Sequence, residues 1–262
     1  MVEITIMGAA GRMGRTLIQV ISQDPDCRLT GALESASCSL LGQDAGTVAG
    51  VGNLNVRLSS DPSDITSCDV FIDFTTPEAL KSHLEIAVAK GKAFVVGTTG
   101  LQQEHFSLLE KASQTIPVLW APNFSVGITL MASLVRLAAK VLSTGFDVEI
   151  IEAHHRLKKD APSGTAIKLL EVLKEVYQTS DVVYGRSGIT GERPQSQIGV
   201  HAIRGGDIVG DHTVSFCGIG ERLEITHRAS SRETFARGAV RAAKFLAGKP
   251  AGRYTIEEVL GL

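Results

Sequence analysis

Hydrophobic and polar positions fall into two successive rhythms. In the first half, short apolar runs recur between longer stretches of helical spacing: Val2 to Met7, Cys27 to Leu33, Asp69 to Phe74, Lys92 to Val96 and Ile116 to Trp120. Near-continuous apolar runs of this length read as strands covered on both faces, which implies a parallel sheet with crossover helices. The first helix is expected from Arg15 to about Ser22; Thr76 and Pro77 mark a later helix start. Asp147 to Ala153 reads as a buried strand, and Ala166 to Tyr177 as a helix with Ile167, Leu169, Leu170, Leu173 and Val176 at apolar spacing. Asp181 to Gln197 is polar and glycine-bearing, and reads as a long mobile loop. From Ile198 the rhythm changes: Ile198 to Ile203, Asp211 to Phe216 and Leu223 to Arg228 alternate in twos between glycine turns, which predicts an antiparallel meander. Such a sheet has helices for one face only, so its other face is a candidate subunit interface. His201, His212 and His227 fall on these strands and read as structural or interface residues. Ala229 to Leu246 returns to helix, with Phe235, Ala239, Ala242 and Phe245 on one face, expected to pack back on the first half.

The strand Val2 to Met7 runs straight into Gly8-Ala9-Ala10-Gly11-Arg12-Met13-Gly14 and a helix. Strand, glycine turn and helix together make a dinucleotide fingerprint: Gly8 for the tight turn, Gly11 for approach of a pyrophosphate, Gly14 for close helix packing. The spacing is GxxGxxG, a weaker match than GxGxxG. Glu34 adds to it, because it ends the second strand about twenty residues on, where a carboxylate can accept bonds from ribose hydroxyls. A 2′-phosphate would be repelled there unless a cation such as Arg12 helped; position 35 is Ser, so NADH is expected to be accepted at least as readily as NADPH. Gly97, Thr98 and Thr99, and Ala121, Pro122, Asn123 and Phe124, follow two further strand ends and are candidates to border a nicotinamide. The expected fold is therefore α/β: a Rossmann-type doubly wound parallel sheet domain plus an α+β domain with an open mixed or antiparallel sheet. The expected division is residues 1–125 for dinucleotide binding, with 236–262 packing back on it, and 126–235 for substrate binding and oligomerisation.

Composition narrows the partners. A net charge of −2 over 262 residues gives no electrostatic case for nucleic acid or an anionic membrane. No apolar run spans a bilayer. Met1 leads directly into strand pattern with no basic region or cleavage site, so no secretory signal is expected. Cys27, Cys38, Cys68 and Cys217 are scattered without metal-ligand spacing, consistent with reduced thiols in the cytoplasm and no metal site.

The densest chemistry lies between the strand ending near Ala153 and the helix starting near Ala166. Within fifteen residues, 152–166, stand His154, His155, Arg156, Lys158, Lys159, the cap candidate Ser163 and the pair Gly164-Thr165. Helix N-terminal amides and neighbouring cations suit a carboxylate or phosphate, and a histidine can exchange a proton near neutral pH. A small dicarboxylate handled by acid–base chemistry is the best match. His154 and His155 share one pocket only if the strand has ended before them, and that is expected here.

These motifs resemble the bacterial dihydrodipicolinate reductase family, also called 4-hydroxy-tetrahydrodipicolinate reductase. The similarity spans the glycine turn at 8–14, Phe-Ile-Asp-Phe-Thr at 71–75, Val-Gly-Thr-Thr-Gly at 96–100, Asn-Phe-Ser-Val-Gly at 123–127, the highly specific stretch at 152–166, and Gly-Glu-Arg-Leu-Glu-Ile-Thr-His at 220–227. It implies reduction of a cyclic imine by NADH or NADPH in lysine and diaminopimelate biosynthesis, usually by a homotetramer. It implies His154 as acid–base residue, Lys158 as proton donor, and His155, Gly164 and Thr165 on the substrate carboxylates. Gly8 to Met13, Glu34, Gly97 to Thr99 and Ala121 to Phe124 would hold the cofactor. The family often carries Arg after the Glu34 equivalent; Ser35 departs from that and argues against strong NADPH selectivity. Two rivals share the first half: a two-domain nicotinamide dehydrogenase acting on an amino-acid semialdehyde, which needs no cationic loop, and a non-catalytic redox sensor, which would be indifferent to Lys158→Ala.

Overall fold

The computed structural model describes residues 1–262. In chain order, β1 (Val2–Met7), α1 (Arg12–Gln23), β2 (Cys27–Leu33), α2 (Ala45–Ala49), β3 (Leu58–Ser59), β4 (Val70–Asp73), α3 (Pro77–Lys90), β5 (Ala93–Val96), α4 (Gln103–Ser113) and β6 (Pro117–Trp120) come first. Next are α5 (Val126–Val141), β7 (Asp147–His154), α6 (Gly164–Tyr177), β8 (Val182–Tyr184), β9 (Ile198–Arg204), β10 (Gly210–Cys217) and β11 (Arg222–Ala229). Then α7 (Glu233–Leu246), β12 (Gly252–Tyr254) and α8 (Ile256–Leu260) close the chain. Met1–Ser125 and Glu233–Leu262 form one unit, Val126–Arg232 the other.

The first unit holds a seven-stranded parallel sheet in the order β12-β6-β5-β4-β1-β2-β3. Each strand is too short to bury itself, but its two faces feed different cores. Val70, Ile72, Ala93 and Val95 pack in one cluster with α1 and α7, while Phe71, Phe94 and Val96 pack in the other with α3 and α4. That split explains why these runs read as continuous rather than alternating. The chain winds outward from β1 in both directions, so the glycine turn stands at the topological switch point.

Helix α1 starts at Arg12, three residues before the expected Arg15. Helix α7 begins at Glu233 rather than Ala229, because Ala229 still pairs with Gly210 in β11. Its buried face carries smaller side chains than expected: Ala236, Gly238, Ala239, Val240, Ala242, Ala243 and Leu246 are buried, while Phe235 and Phe245 are only half-buried. A Cβ at Gly238 would overlap the Phe124 carbonyl, so only small side chains permit this approach.

The second unit corrects the expected meander. Its five-stranded sheet runs β11-β10-β7-β9-β8, so β7 separates the strands expected to be neighbours. Only β10–β11 is a hairpin; β9 runs parallel to both β7 and β8. Residues 181–197 are also not all loop. They open with strand β8, and Arg186 and Arg193 tie the remainder to Glu149 and Asp147 on β7. A three-residue strand has too few positions to show a period.

Candidate functional site

The β1–α1 turn is built backbone to backbone. Gly8 adopts φ of 71°, the region glycine takes at no cost, and Gly8 and Ala9 donate to the Leu33 carbonyl at 2.9 and 3.0 Å. Ala10 donates its amide to Glu34 Oε2 at 2.9 Å, and Gly11 donates to the Gly8 carbonyl at 3.1 Å. Helical bonding starts with Arg15 donating to Gly11 at 3.0 Å, so the amides of Arg12 and Met13 form the open end of α1. Those two amides, rather than the earlier ones of the turn, are the groups free to meet a pyrophosphate. Ala9 is fully buried, whereas Arg12 is exposed. Glu34 accepts from Ala10 through one oxygen and from Ser35 N–H through the other, at 2.9 Å each, which leaves lone pairs on both for ribose hydroxyls.

Beside this turn, the ends of β4 and β5 are joined through Asp73, which is fully buried. Its carboxylate accepts from Thr75 N–H at 2.8 Å and from Thr75 Oγ1 at 2.6 Å. It also accepts from Thr98 Oγ1 at 3.2 Å and bonds His83 Nδ1 at 2.8 Å. The Thr98 side chain is thus committed inward, and its carbonyl accepts from Trp120 Nε1 at 3.0 Å. Gly97 has room for nothing larger, since a Cβ would overlap the Phe74 ring, which packs on Phe124 at 5.4 Å between centroids. Of the predicted residues here, Thr99 and Pro122 are exposed, Asn123 is half-buried with its Oδ1 accepting from Ser125 N–H, and Ala121 and Phe124 are buried.

The second unit sets the acid–base groups by strand parity. Val148, Ile150, Glu152 and His154 alternate inward along β7, so the apolar face that packs on α5 and α6 ends in a carboxylate and an imidazole. The strand does not end before His154: it pairs with Arg204 and its carbonyl accepts from Gly205, so only His155 lies beyond the ladder. The expectation of an earlier end was wrong by one residue. His154 Nδ1 bonds Glu152 Oε2 at 2.6 Å. Arg204 donates to both oxygens of Glu152 at 2.8 and 2.7 Å, and Ser163 N–H donates to Oε1 at 3.0 Å. Ser163 caps α6 by accepting from Ala166 N–H at 3.2 Å and bonds His212 Nε2 at 2.9 Å. His212 and His154 meet edge to face, 5.2 Å apart.

Helix α6 begins at Gly164, two residues earlier than the sequence suggested, which puts Gly164 and Thr165 in its first turn, where amides point outward. Nothing lies within 4 Å of a Cβ at Gly164, so that end is open. Between strand and helix, Lys158 pairs with Asp160 at 2.9 Å and donates its amide to the His155 carbonyl at 3.1 Å. The region thus brings His154, Lys158 and the start of α6 together through Glu152, Ser163 and Arg204. Glu152 and Ser163 stood in the legible motif; Arg204 and His212 carried no local signal, because strand register alone brings them there.

Burial pushes His212 down to about 4, with the His154 charge adding to it, and burial likewise lowers His154. An unfolded His212 binds a proton near pH 6.5, so between there and pH 4 the unfolded chain holds more protons than the folded one. Stability from this residue is complete above the ordinary histidine value and is lost as pH falls through that window, by up to about 3 kcal/mol. His212→Gln is expected to flatten the decline in melting temperature between neutral pH and pH 4; an unchanged slope would rule this out.

A glycine turn at the switch point of a parallel sheet, and an acid–base cluster opening onto a helix N-terminus, define the class: a dinucleotide-dependent oxidoreductase. The chain matches the family model for dihydrodipicolinate reductase, N-terminus, over residues 2–124, and that for dihydrodipicolinate reductase, C-terminus, over residues 127–260. It is 49% identical to a 4-hydroxy-tetrahydrodipicolinate reductase of Syntrophotalea carbinolica, with all of both chains covered. It is 50% identical to one from Anaeromyxobacter sp., covering 100% of this chain and 98% of that one. A solved dipicolinate-bound dihydrodipicolinate reductase from Paenisporosarcina sp. TG-14 superposes with a TM-score of 0.78 at 25% identity, covering 98% of each chain. The chain belongs to the dihydrodipicolinate reductase family and is an NAD(P)H-dependent oxidoreductase of lysine and diaminopimelate biosynthesis. No helix is long and apolar enough to cross a membrane.

Proposed function

We propose that this protein reduces the cyclic imine derived from 4-hydroxy-tetrahydrodipicolinate to tetrahydrodipicolinate. The observation that carries the reading is the run from His154 to Thr165. It leaves a strand on a buried histidine, passes through Lys158, and enters a helix whose first amides are open. The unit Met1–Ser125 with Glu233–Leu262 holds the dinucleotide; Val126–Arg232 binds the substrate and carries the oligomer contacts.

The residues of the first unit suit the cofactor: the amides of Arg12 and Met13 would take its pyrophosphate, Glu34 its ribose, and Gly97 to Thr99 with Ala121 to Phe124 its nicotinamide side. When bound, the cofactor would supply the hydride for the conjugated imine. His155, Gly164 and Thr165 grip the two carboxylates, so part of the rate comes from orienting the ring and part from the positive field around it. The Lys158 ammonium gives its proton to the ring carbon next to the reduced one, and His154 exchanges protons beside it.

Steady-state oxidation of NADH and of NADPH, with freshly generated cyclic imine, tests the reaction directly; no oxidation of either would refute it. With Ser35 in place, NADH is accepted at least as readily as NADPH, and Ser35→Arg is expected to shift the kcat/KM ratio towards NADPH by about tenfold. No change would place position 35 away from the 2′ position. The outward face of the second sheet exposes Ile151 and Ile203, 38% and 50% exposed, and supports a homotetramer that sedimentation velocity would detect. All four cysteines are free thiols, in keeping with a cytoplasmic setting.

A further inference from the structure

We propose that Glu152, held by Arg204, is the positioning residue of this reaction: it fixes His154 with hydrogen on Nδ1, leaves Nε2 as the exchanging nitrogen, and ties the Lys158 loop and the start of α6 to the same point. The inference rests on the reading of His154 as the acid–base residue.

Glu152 has no exposed surface, and its carboxylate contacts His154, Arg204 and the Ser163 amide. An ionised carboxylate only accepts, so the 2.6 Å bond places the hydrogen on His154 Nδ1. Nε2 then carries the lone pair. Gly210 packs beside it, and a Cβ there would stand 3.1 Å from Nε2, so a side chain at this position would crowd that nitrogen. Ser163 N–H on Glu152 Oε1 anchors the residue that precedes Gly164 and Thr165. Arg204 holds both Glu152 oxygens and also donates to the Asp160 carbonyl at 2.7 Å, two residues beyond Lys158. One buried carboxylate therefore sets the imidazole, the lysine loop and the amide end of α6.

The charges around His154 give the proposal a sign. On its own strand is Glu152, from β9 comes Arg204, from the following loop Lys158, and from β10 His212. Burial lowers His154, the Glu152 carboxylate pulls it back up, and Lys158 and Arg204 lower it further. Glu152 is itself pushed up by burial, but hydrogen bonds from Arg204, His154 and Ser163 outweigh that and keep it ionised. Removing Glu152 and removing Arg204 must then move the imidazole in opposite directions.

The test uses the full chain with 15N-labelled histidine, His154 being assigned by comparison with His154→Asn. Wild type is expected to show the Nδ1–H form of neutral His154. In Glu152→Gln the His154 titration moves to lower pH, and turnover falls by at least about tenfold while the KM for cofactor stays within about twofold. In Arg204→Gln it moves to higher pH, because a repelling charge is gone and the carboxylate is no longer shared. Glu152→Asp, which keeps the charge, is expected to recover part of the turnover lost in the glutamine variant. An unchanged tautomer and titration in Glu152→Gln overturn the inference while leaving the role of His154 intact. A shifted titration with wild-type turnover overturns both. Should Glu152→Gln fail to fold, a downward shift or no shift in Arg204→Gln overturns the inference by itself.

Discussion

Lys158→Ala is expected to lower turnover by at least about a hundredfold while cofactor affinity stays close to wild type. The alanine removes the one ammonium that the loop between β7 and α6 holds in a defined ion pair, 2.9 Å from Asp160. Conjugate addition of hydride to the unsaturated imine pushes electron density toward the ring nitrogen and leaves the neighbouring carbon in need of a proton, and without an acid in place water must supply it. Folding should tolerate the change. Lys158 is half-buried, but its partner Asp160 is 63% exposed and keeps Arg204 nearby, so loss of the pair leaves no buried charge unpaired. The residues assigned to the dinucleotide lie in the other unit, which is why affinity is expected to hold. Steady-state kinetics combined with a fluorescence titration of cofactor separates the two quantities. Near-normal turnover would remove Lys158 from the reaction, and cofactor binding without turnover in the wild type would point to a sensor instead.

Gly14→Ala should do the converse, weakening the cofactor site and the fold together. A Cβ at Gly14 would overlap the Gly8 carbonyl oxygen and stand 2.7 Å from Ala9 Cα, and both are backbone atoms that no rotamer change can move. Helix α1 must therefore back away from the turn, taking the amides of Arg12 and Met13 with it. Overpacking of this kind costs about 3 kcal/mol, so a fall in melting temperature of roughly 6–12 °C is expected. The dissociation constant for NADH should rise by at least about tenfold. Gly11→Ala is the contrasting variant: its Cβ would lie 3.2 Å from the same oxygen, a contact the turn can absorb, so its stability should change far less. If Gly14→Ala melts and binds like wild type, the close approach of helix to turn has no functional weight.

The fold class and the reaction family were legible because their signals are local. Glycine spacing at 8–14, apolar runs with turns at their ends, and the motif at 152–166 each lie within one or two elements, where backbone sterics and helix-end amides act over a few residues. Errors gathered where a boundary depended on a partner. The end of β7 is held by pairing with Arg204, the start of α7 is delayed by pairing of Ala229, and helix α6 begins at a cap whose hydroxyl also bonds a distant histidine. Short elements such as α2, β3 and β8 have too few positions to carry a period.

By itself, then, the amino-acid order determined a nucleotide-type parallel sheet, a cationic loop feeding a helix, and the chemical identity of the groups on that loop. Tertiary structure alone decided which side chains surround them. His212 reads as a structural or interface residue until β10 pairs with β7 and sets it opposite Glu152; Arg204 lies just past the expected strand and carries no local signal until β9 sets it opposite His154. Asp73 likewise looks like a plain strand end until Thr98 and His83 close on it. The reason is physical: side-chain alternation is written residue by residue, but strand order and register are chosen by the total burial of all strands at once. No short window of sequence contains that sum.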